Sequence, residues 1–223
     1  MIPVLIGLGI AALVGGITAA VFWDDIFDSE ENKEKWDGKR IAVLGARSVG
    51  KTTLFSFLKN GEIEKNKAYQ QTTMKERFEQ TEVKIDDASL KISTSFDVGG
   101  GKYSYSTWSE EIKESDYILY LLDSSKVLEK DKEHISVIKS DMTAIQKDIS
   151  KYKSQEKTIF LIATKSDCHS RYKSNNFEDE LMNSPIILET ILRLGGTKNC
   201  KFIVGSLCST EEAKSLVKKM LNT

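Results

Sequence analysis

An octapeptide between an apolar run and an amphipathic segment limits the possible folds of this chain more than any other feature. Residues 45–52 read Gly-Ala-Arg-Ser-Val-Gly-Lys-Thr and fit the pattern G-x-x-x-x-G-K-[ST]. The apolar run 41–44 precedes them, and Leu54, Phe55 and Leu58 follow at helical spacing. A glycine-rich turn between a strand and a helix presents backbone N–H groups and the positive end of the helix dipole to an anion. The octapeptide therefore predicts a phosphate-binding loop rather than a plain surface turn.

The loop also supplies candidate ligands for a nucleoside phosphate. Lys51 is placed to reach the β and γ phosphates, and the Thr52 hydroxyl is placed to bind Mg²⁺. The other candidate nucleotide-binding positions lie in the same loop or directly after it: Gly45, Arg47, Ser48, Val49, Gly50 and Thr53. Arg47 is either a local cation for the phosphates or a solvated loop side chain.

The N-terminal segment has a different character from the rest of the chain. Residues 1–23 contain no charged side chain and are long enough to span the ~30 Å hydrocarbon layer as a helix. A signal peptide is less consistent with this sequence, because the segment has no basic n-region. A helix of a water-soluble domain is also less consistent with it, because four glycines destabilise a helix in water. We therefore predict a transmembrane helix at 1–23 and a polar juxtamembrane linker at 24–39. Nucleotide access would place the domain on the cytosolic side of a single-pass protein.

Small residues recur every fourth position on two faces of this predicted helix. Such faces let two helices approach closely, so self-association through the helix is left open. The two series are Ala11, Gly15 and Ala19, and Ala12, Gly16 and Ala20.

Hydrophobic runs alternate with longer amphipathic segments along residues 40–223. This order predicts an α/β fold with a mostly parallel six-stranded sheet covered by helices on both faces. The short connection 86–89 predicts an antiparallel hairpin between the second and third strands. A surface helix is expected at 131–152, and the capping pair Ser209 and Glu212 predicts a C-terminal helix. The expected strands are 41–45, 81–86, 90–98, 117–123, 158–164 and 201–205.

Two polar stretches follow the phosphate loop in the order that a triphosphate site needs. Thr72 and Thr73 offer hydroxyls ahead of the second strand, and either could sense Mg²⁺ and the γ-phosphate. Asp97 follows the third strand, where its carboxylate can hold Mg²⁺ through water, and the N–H of Gly99 or Gly100 can meet the γ-phosphate. Flexible glycines suit a loop that orders only with the third phosphate.

The fifth strand runs into the sequence Thr-Lys-Ser-Asp at residues 164–167. The Asp167 carboxylate can accept both N–H donors from the Watson–Crick edge of guanine, a donor pair that adenine lacks. Lys165 can lay its alkyl stem along the base, next to Thr164. Taken alone, this motif also fits a capped turn.

The order and spacing of these pieces resemble the small GTPases of the Ras-like superfamily over residues 40–223. The sequence Asp-Val-Gly-Gly at 97–100 is most similar to the Arf branch. An apolar N-terminal segment ahead of such a domain resembles the beta subunit of the signal-recognition-particle receptor.

The resemblance implies GTP or GDP and Mg²⁺ as ligands, and Thr73 as the metal-binding switch threonine. It implies that Ser206 and Leu207 contact the guanine oxygen through backbone N–H groups, although Leu207 and Cys208 replace the usual Ala and Lys. It assigns Lys51, Thr73 and Gly100 to catalysis, and Thr52, Thr73 and Asp97 to the metal.

Gly101 departs from the family pattern. Relatives that hydrolyse GTP commonly place Gln directly after D-x-x-G to orient the attacking water, and Gly101 has no side chain for this. We therefore expect slow intrinsic hydrolysis in a GTP/GDP switch that recruits a cytosolic effector or a GTPase-activating partner. The alternatives are a non-hydrolysing, GTP-bound receptor or tether subunit and, with less support, a P-loop ATPase.

Composition excludes several other classes of function. The 32 basic residues balance 33 acidic ones without a basic stripe, which argues against nucleic-acid binding. The three cysteines have no metal-ligand spacing, and His134 and His169 are expected to be solvated surface residues.

Three aromatic residues follow the Gly-rich segment, namely Tyr103, Tyr105 and Trp108. They suit a docking surface formed when GTP orders residues 66–78 and 97–109, and they equally suit burial against the neighbouring helix.

Overall fold

The computed structural model describes residues 29–63, 78–85, 88–95, 103–151 and 157–223 of the 223-residue chain. The strands in these ranges are β1 (Arg40–Gly45), β2 (Phe78–Ile85), β3 (Ala88–Ser95), β4 (Tyr117–Asp123), β5 (Thr158–Thr164) and β6 (Cys200–Val204). The helices are α1 (Glu30–Trp36), α2 (Lys51–Asn60), α3 (Tyr103–Glu114), α4 (Ser124–Leu128), α5 (Lys132–Lys151), α6 (Phe177–Met182), α7 (Pro185–Arg193) and α8 (Thr210–Leu221).

These strands form one sheet in the order β2-β3-β1-β4-β5-β6. The pairs from β3 through β6 are parallel, and β2 runs antiparallel to β3. The α/β fold, the mostly parallel sheet and the edge hairpin are therefore confirmed. β2 begins three residues earlier than its apolar pattern predicts, because the hairpin register pairs Phe78 with Ser95.

Helices cover both faces of the sheet. On one face, α1, α2 and α8 pack on side chains such as Val43 and Leu119. On the other face, α3, α5, α6 and α7 pack on side chains such as Leu44 and Tyr120. Every residue of β4 is buried, as expected for a central parallel strand whose two faces both meet helices.

The segment predicted as a polar linker contains a helix that is part of the folded domain. Residues 30–36 form α1, and the Trp36 side chain is fully buried. Its ring stacks on Tyr117 with a centroid distance of 4.0 Å, and its Nε1 donates to the carbonyl of Leu221 at 3.0 Å. The linker prediction is wrong for this helix, because one tryptophan in a charged segment buries enough apolar surface to dock it.

The two predicted surface helices are present. The helix expected at 131–152 is α5, whose apolar residues Ile138, Met142 and Ile145 are buried. The C-terminal helix is α8, and the Ser209 side chain accepts a hydrogen bond from the backbone N–H of Glu212 at 3.2 Å. This contact is one half of the predicted capping box.

None of the helices in the described ranges combines the length and apolar character that crossing a bilayer requires. Residues 1–23, where the sequence predicts a spanning helix, lie outside those ranges.

Candidate nucleotide-binding site

The predicted phosphate loop lies at the carboxyl end of β1 and turns directly into α2. Gly45 has a φ of 138°, and a side chain there would collide with the backbone carbonyl of Leu121 on β4. Ser48 and Gly50 have φ values of 62° and 95°, in the left-handed region. The loop thus packs closely on β4 at Gly45 and turns tightly at Gly50, and each of these two positions requires a glycine.

Lys51 lies at the centre of this loop. Its side chain is buried, and its Nζ donates to the carbonyls of Gly45 at 2.7 Å and Ala46 at 2.6 Å. The first turn of α2 contains no acidic residue, so neither charge nor helix dipole there opposes an anion. A buried ammonium beside a helix N-terminus is the arrangement that binds phosphate groups.

The other loop candidates differ in exposure. The side chains of Arg47, Ser48 and Thr52 are exposed, and that of Thr53 is partly buried. Val49 is only 1% exposed and packs in the core, so only its backbone can face a ligand. The exposed Thr52 hydroxyl fits the metal-binding role predicted for it.

Thr164 connects the phosphate loop to the sheet. Its buried Oγ1 lies 2.7 Å from the carbonyl of Val49 and 2.9 Å from that of Leu122. The hydroxyl can donate to either carbonyl and so ties the loop to the end of β4. The position predicted to lie near the base thus has a structural role as well.

Replacement of Thr164 by Val is expected to lower the free energy of unfolding by about 1–3 kcal/mol, because a buried carbonyl loses its donor. Urea unfolding of the full chain measures the change. Thr164→Ser keeps the hydroxyl and serves as the matched control. A Val variant as stable as the wild type would show that the hydroxyl does not hold the loop.

Lys165 is held by a residue that the sequence analysis missed. Its Nζ lies 3.1 Å from Oδ2 of Asp123, a buried carboxylate at the end of β4. Oδ1 of Asp123 accepts from the backbone N–H of Lys126 and caps α4. Lys165 itself has a φ of 57°, so both backbone and side chain are constrained. The pattern Asp-Ser-Ser after an apolar strand is the signal that could have identified this cap.

His134 is buried next to Asp123, and the prediction that it is a solvated surface residue is therefore wrong. Its Nε2 accepts a hydrogen bond from the backbone N–H of Asp123 at 3.1 Å, and its side chain is 6% exposed. Burial is the main cause that lowers the pKa of His134 below its ordinary value. His169 remains partly exposed.

The lowered pKa predicts a pH dependence of stability. The unfolded chain takes up a proton on this imidazole below about pH 6.5, whereas the native state resists it. The free energy of unfolding should therefore fall as the pH drops from about 7 through 6.5 towards the folded pKa. Urea midpoints across this range should show a shallower slope for His134→Gln than for the wild type. Equal slopes in the two proteins would contradict the assignment.

Asp167, the predicted guanine ligand, lies beside the loop that follows β6. The backbone N–H of Ser166 donates to the carbonyl of Gly205 at 3.4 Å. Side-chain atoms of Asp167, Cys208 and Glu212 lie within 4.8 Å of one another. The Asp167 side chain is exposed, so a ligand can reach its carboxylate.

The loop after β6 also reaches the phosphate loop. Leu207 is partly buried, and a Cβ added to Gly50 would lie 3.0 Å from its Cδ1. Ser206 is buried, and its Oγ accepts from the backbone N–H of Cys208 at 3.0 Å. The predicted segments 45–52, 164–167 and 205–208 therefore meet at the carboxyl edge of the parallel strands, where α/β sheets bind ligands.

The thiol of Cys208 lies beside the carboxylate of Glu212. Its Sγ lies 2.9 Å from Oε2 of Glu212, and this hydrogen bond is the main cause that raises the pKa of the thiol. The thiol therefore keeps its proton at neutral pH.

Several predicted site residues lie outside the described ranges: Thr72, Thr73, Asp97, Gly99, Gly100 and Gly101.

The predicted aromatic surface is partly described, and the structure favours the burial alternative. Trp108 is only 2% exposed, and Tyr105 donates from its hydroxyl to Asp141 of α5 at 2.9 Å. Tyr120 donates to the other oxygen of Asp141 at 2.7 Å, so this buried carboxylate joins α3, α5 and β4. The side chain of Tyr103 is not described.

The strand order, the phosphate loop at the end of β1 and the Thr-Lys-Ser-Asp turn at the end of β5 are those of a Ras-like small GTPase. The sequence matches the ADP-ribosylation factor family, Arf, over residues 25–221. The chain belongs to this family, whose members are small GTPases of the GTP/GDP switch type. No curated protein sequence shows a significant match.

Solved structures support the same fold. A structure of the mammalian SRP receptor is similar with a TM-score of 0.57 and 14% identity, covering 82% of this chain and 98% of that chain. An ADP-ribosylation factor-like GTP-binding protein, the small COPII coat GTPase SAR1 from Encephalitozoon cuniculi in complex with GDP, is similar with a TM-score of 0.51 and 15% identity. That likeness covers 94% of this chain and 89% of the other.

Proposed function

We propose that this chain is a membrane-anchored small GTPase that binds GTP or GDP with Mg²⁺ and recruits a cytosolic partner in its GTP form. The observation that supports this most directly is the meeting of Lys51, Asp167 and the loop 205–208 at one edge of the sheet. One end of this site suits phosphates and the other suits a base.

Each part of the site has a distinct role in this proposal. Lys51 and the amino end of α2 would neutralise the phosphates, and Thr52 would bind the metal together with Thr73 and Asp97. Asp167 would accept from the guanine edge, while Asp123 keeps Lys165 in position. Gly101 leaves the attacking water without a side chain to orient it, so intrinsic hydrolysis would be slow.

The membrane part of the proposal depends on residues 1–23, which carry no charge. The full chain should resist alkaline carbonate extraction from membranes, and a variant lacking residues 1–23 should be released. Protease added outside intact vesicles should digest the domain if it faces the cytosol. Release of the full chain by carbonate would refute the anchor.

Partner recruitment is tested by the nucleotide state. The full chain loaded with a non-hydrolysable GTP analogue should capture its partner from cytosol at least about tenfold better than the GDP form, because only the γ-phosphate holds the ordered segments. The empty matrix is the background control. Equal capture in both states would contradict a switch.

A second function deserves a test because Gly101 specifically favours it. In this alternative the protein is a receptor or tether subunit that keeps GTP bound as a structural cofactor. The nucleotide that copurifies would then be GTP, and single-turnover hydrolysis would stay negligible after membrane extract is added. Stimulation of hydrolysis by the extract would favour the switch.

A further inference from the structure

The open edge of β6 lies at the floor of a groove of about 600 Å³ on the side of the sheet away from β2. Helix α6 forms one wall and α8 forms the other. The lining residues used below are Glu178, Met182, Phe202, Val204, Lys218 and Lys219. This volume lies in the range of sites that bind ligands.

The register of β6 shows which backbone groups face the groove. The N–H of Ile159 donates to the carbonyl of Asn199, and the N–H of Gly205 donates to the carbonyl of Ala163. The backbone groups of a strand alternate between its two sides, so positions 199, 201, 203 and 205 bond to β5. Phe202 and Val204 therefore direct their N–H and C=O groups away from β5, into the groove.

The side chain of Lys219 covers part of this edge. Lys219 of α8 reaches across the groove, with its Nζ 3.0 Å from Oε1 of Glu178 on α6 and 3.4 Å from the carbonyl of Val204. Lys219 and Glu178 are both exposed, and exposed ion pairs contribute little stability. Lysines on edge strands commonly prevent pairing with strands of other molecules. A specific ligand can displace such a lysine.

We propose that this groove binds an extended peptide segment of a partner protein, which adds a strand to the sheet at β6. Backbone hydrogen bonds to Phe202 and Val204 would supply affinity, as in other cases of strand addition. A second copy of this chain fits poorly, because its own β6 lies between the same two helices and the walls of the two grooves would collide.

The two walls also specify the side chains of the peptide. Alternate residues of an added strand point to opposite faces of the sheet. On the α6 face they would meet the partly exposed side chains of Phe202 and Met182 and, beside them, the carboxylates of Glu178 and Asp179. On the α8 face they would meet the two lysines. Acidic side chains of the peptide therefore suit the α8 face alone, and the groove selects a segment that alternates apolar and acidic residues in that register.

The test uses the full chain in detergent and an acetylated peptide, Val-Glu-Val-Glu-Val. The first control peptide replaces both Glu by Gln, and two further peptides carry N-methyl groups either on both Glu residues or on the three Val residues. The acidic peptide should bind at least about tenfold more tightly than the Gln peptide and than the methylated peptide whose N-methyl groups face β6, whereas the other methylated peptide should bind as well as the acidic one. No binding, equal binding of the acidic and Gln peptides, or equal binding of the two methylated peptides would overturn the proposal.

Amide hydrogen exchange followed by NMR gives the decisive readout. The peptide should slow exchange of the Phe202 and Val204 amides at least about tenfold and leave those of Lys201 and Ile203 unchanged, because the latter already bond to β5. Binding without this alternation would overturn the proposal. Protection of the same two amides without peptide, together with dimer formation, would assign the edge to a second copy and would also overturn it.

Charge reversal provides an independent check. Lys218→Glu with Lys219→Glu should weaken binding of the acidic peptide at least about tenfold and change binding of the Gln peptide far less. Lys132→Glu with Lys147→Glu makes the same change on exposed positions of α5 and should alter neither. An unchanged preference in the first variant would overturn the charge assignment.

Discussion

The Asp167→Asn variant is expected to lose GTP affinity by about 100- to 1,000-fold and to bind xanthosine triphosphate instead. In the proposed site the carboxylate accepts two N–H groups from guanine. An amide at this position can accept only one and turns a donor towards the other, which leaves a polar pair unsatisfied. Xanthine presents an acceptor at that position and restores the match. The loss corresponds to about 2.7–4.1 kcal/mol of binding free energy.

Competition binding with GTP, XTP and ATP measures this change. Asp37→Asn removes the same charge from an exposed position after α1 and should leave all three affinities unchanged. If Asp167→Asn bound GTP as tightly as the wild type, Asp167 would not read the base. Preference of the wild type for ATP would refute guanine specificity altogether.

The Trp36→Ala variant is expected to lose about 3–5 kcal/mol of unfolding free energy, the usual cost of deleting a buried aromatic side chain. The ring is fully buried, stacks on Tyr117 and lies 5.7 Å from the ring of Phe160. Its loss would leave the Leu221 carbonyl without the indole donor and α1 without its anchor. Urea unfolding of the full chain measures the change.

Two controls separate the contributions of this residue. Trp36→Phe keeps most of the packing and removes the Nε1 donor, so it should cost less than half as much. Leu192→Ala removes an apolar side chain that is 75% exposed and should change stability by less than about 0.5 kcal/mol. If Trp36→Ala behaved like Leu192→Ala, α1 would not be part of the folded domain.

The parts of this molecule that the sequence predicts well are those whose causes are local. The glycines at 45 and 50, the hairpin connection and the Ser209 cap each depend on neighbours within a few residues, and their structure follows from backbone rules. The central strands β1, β4 and β5 follow from continuous apolar runs. Local patterns were therefore enough to place the loop and the sheet.

The features that were missed depend on contacts between distant residues. The partner of Trp36 is Leu221, 185 residues away, and nothing in the charged segment around Trp36 signals it. His134 is polar, yet its acceptor nitrogen meets a backbone N–H at the end of β4. Whether Trp108 faces a partner or the core depended on the packing of α3 against α5, which periodicity alone leaves open.

The docking of α1 has a consequence for how the molecule is oriented. Trp36 stacks on Tyr117, the first residue of β4, whereas Asp123 at the other end of the same strand holds Lys165. Six steps of about 3.3 Å separate the two ends, roughly 20 Å in all. The chain before residue 29 is thus joined to α1 beside the amino end of β4, and the side chains predicted to bind the base lie at the opposite, carboxyl edge of the sheet.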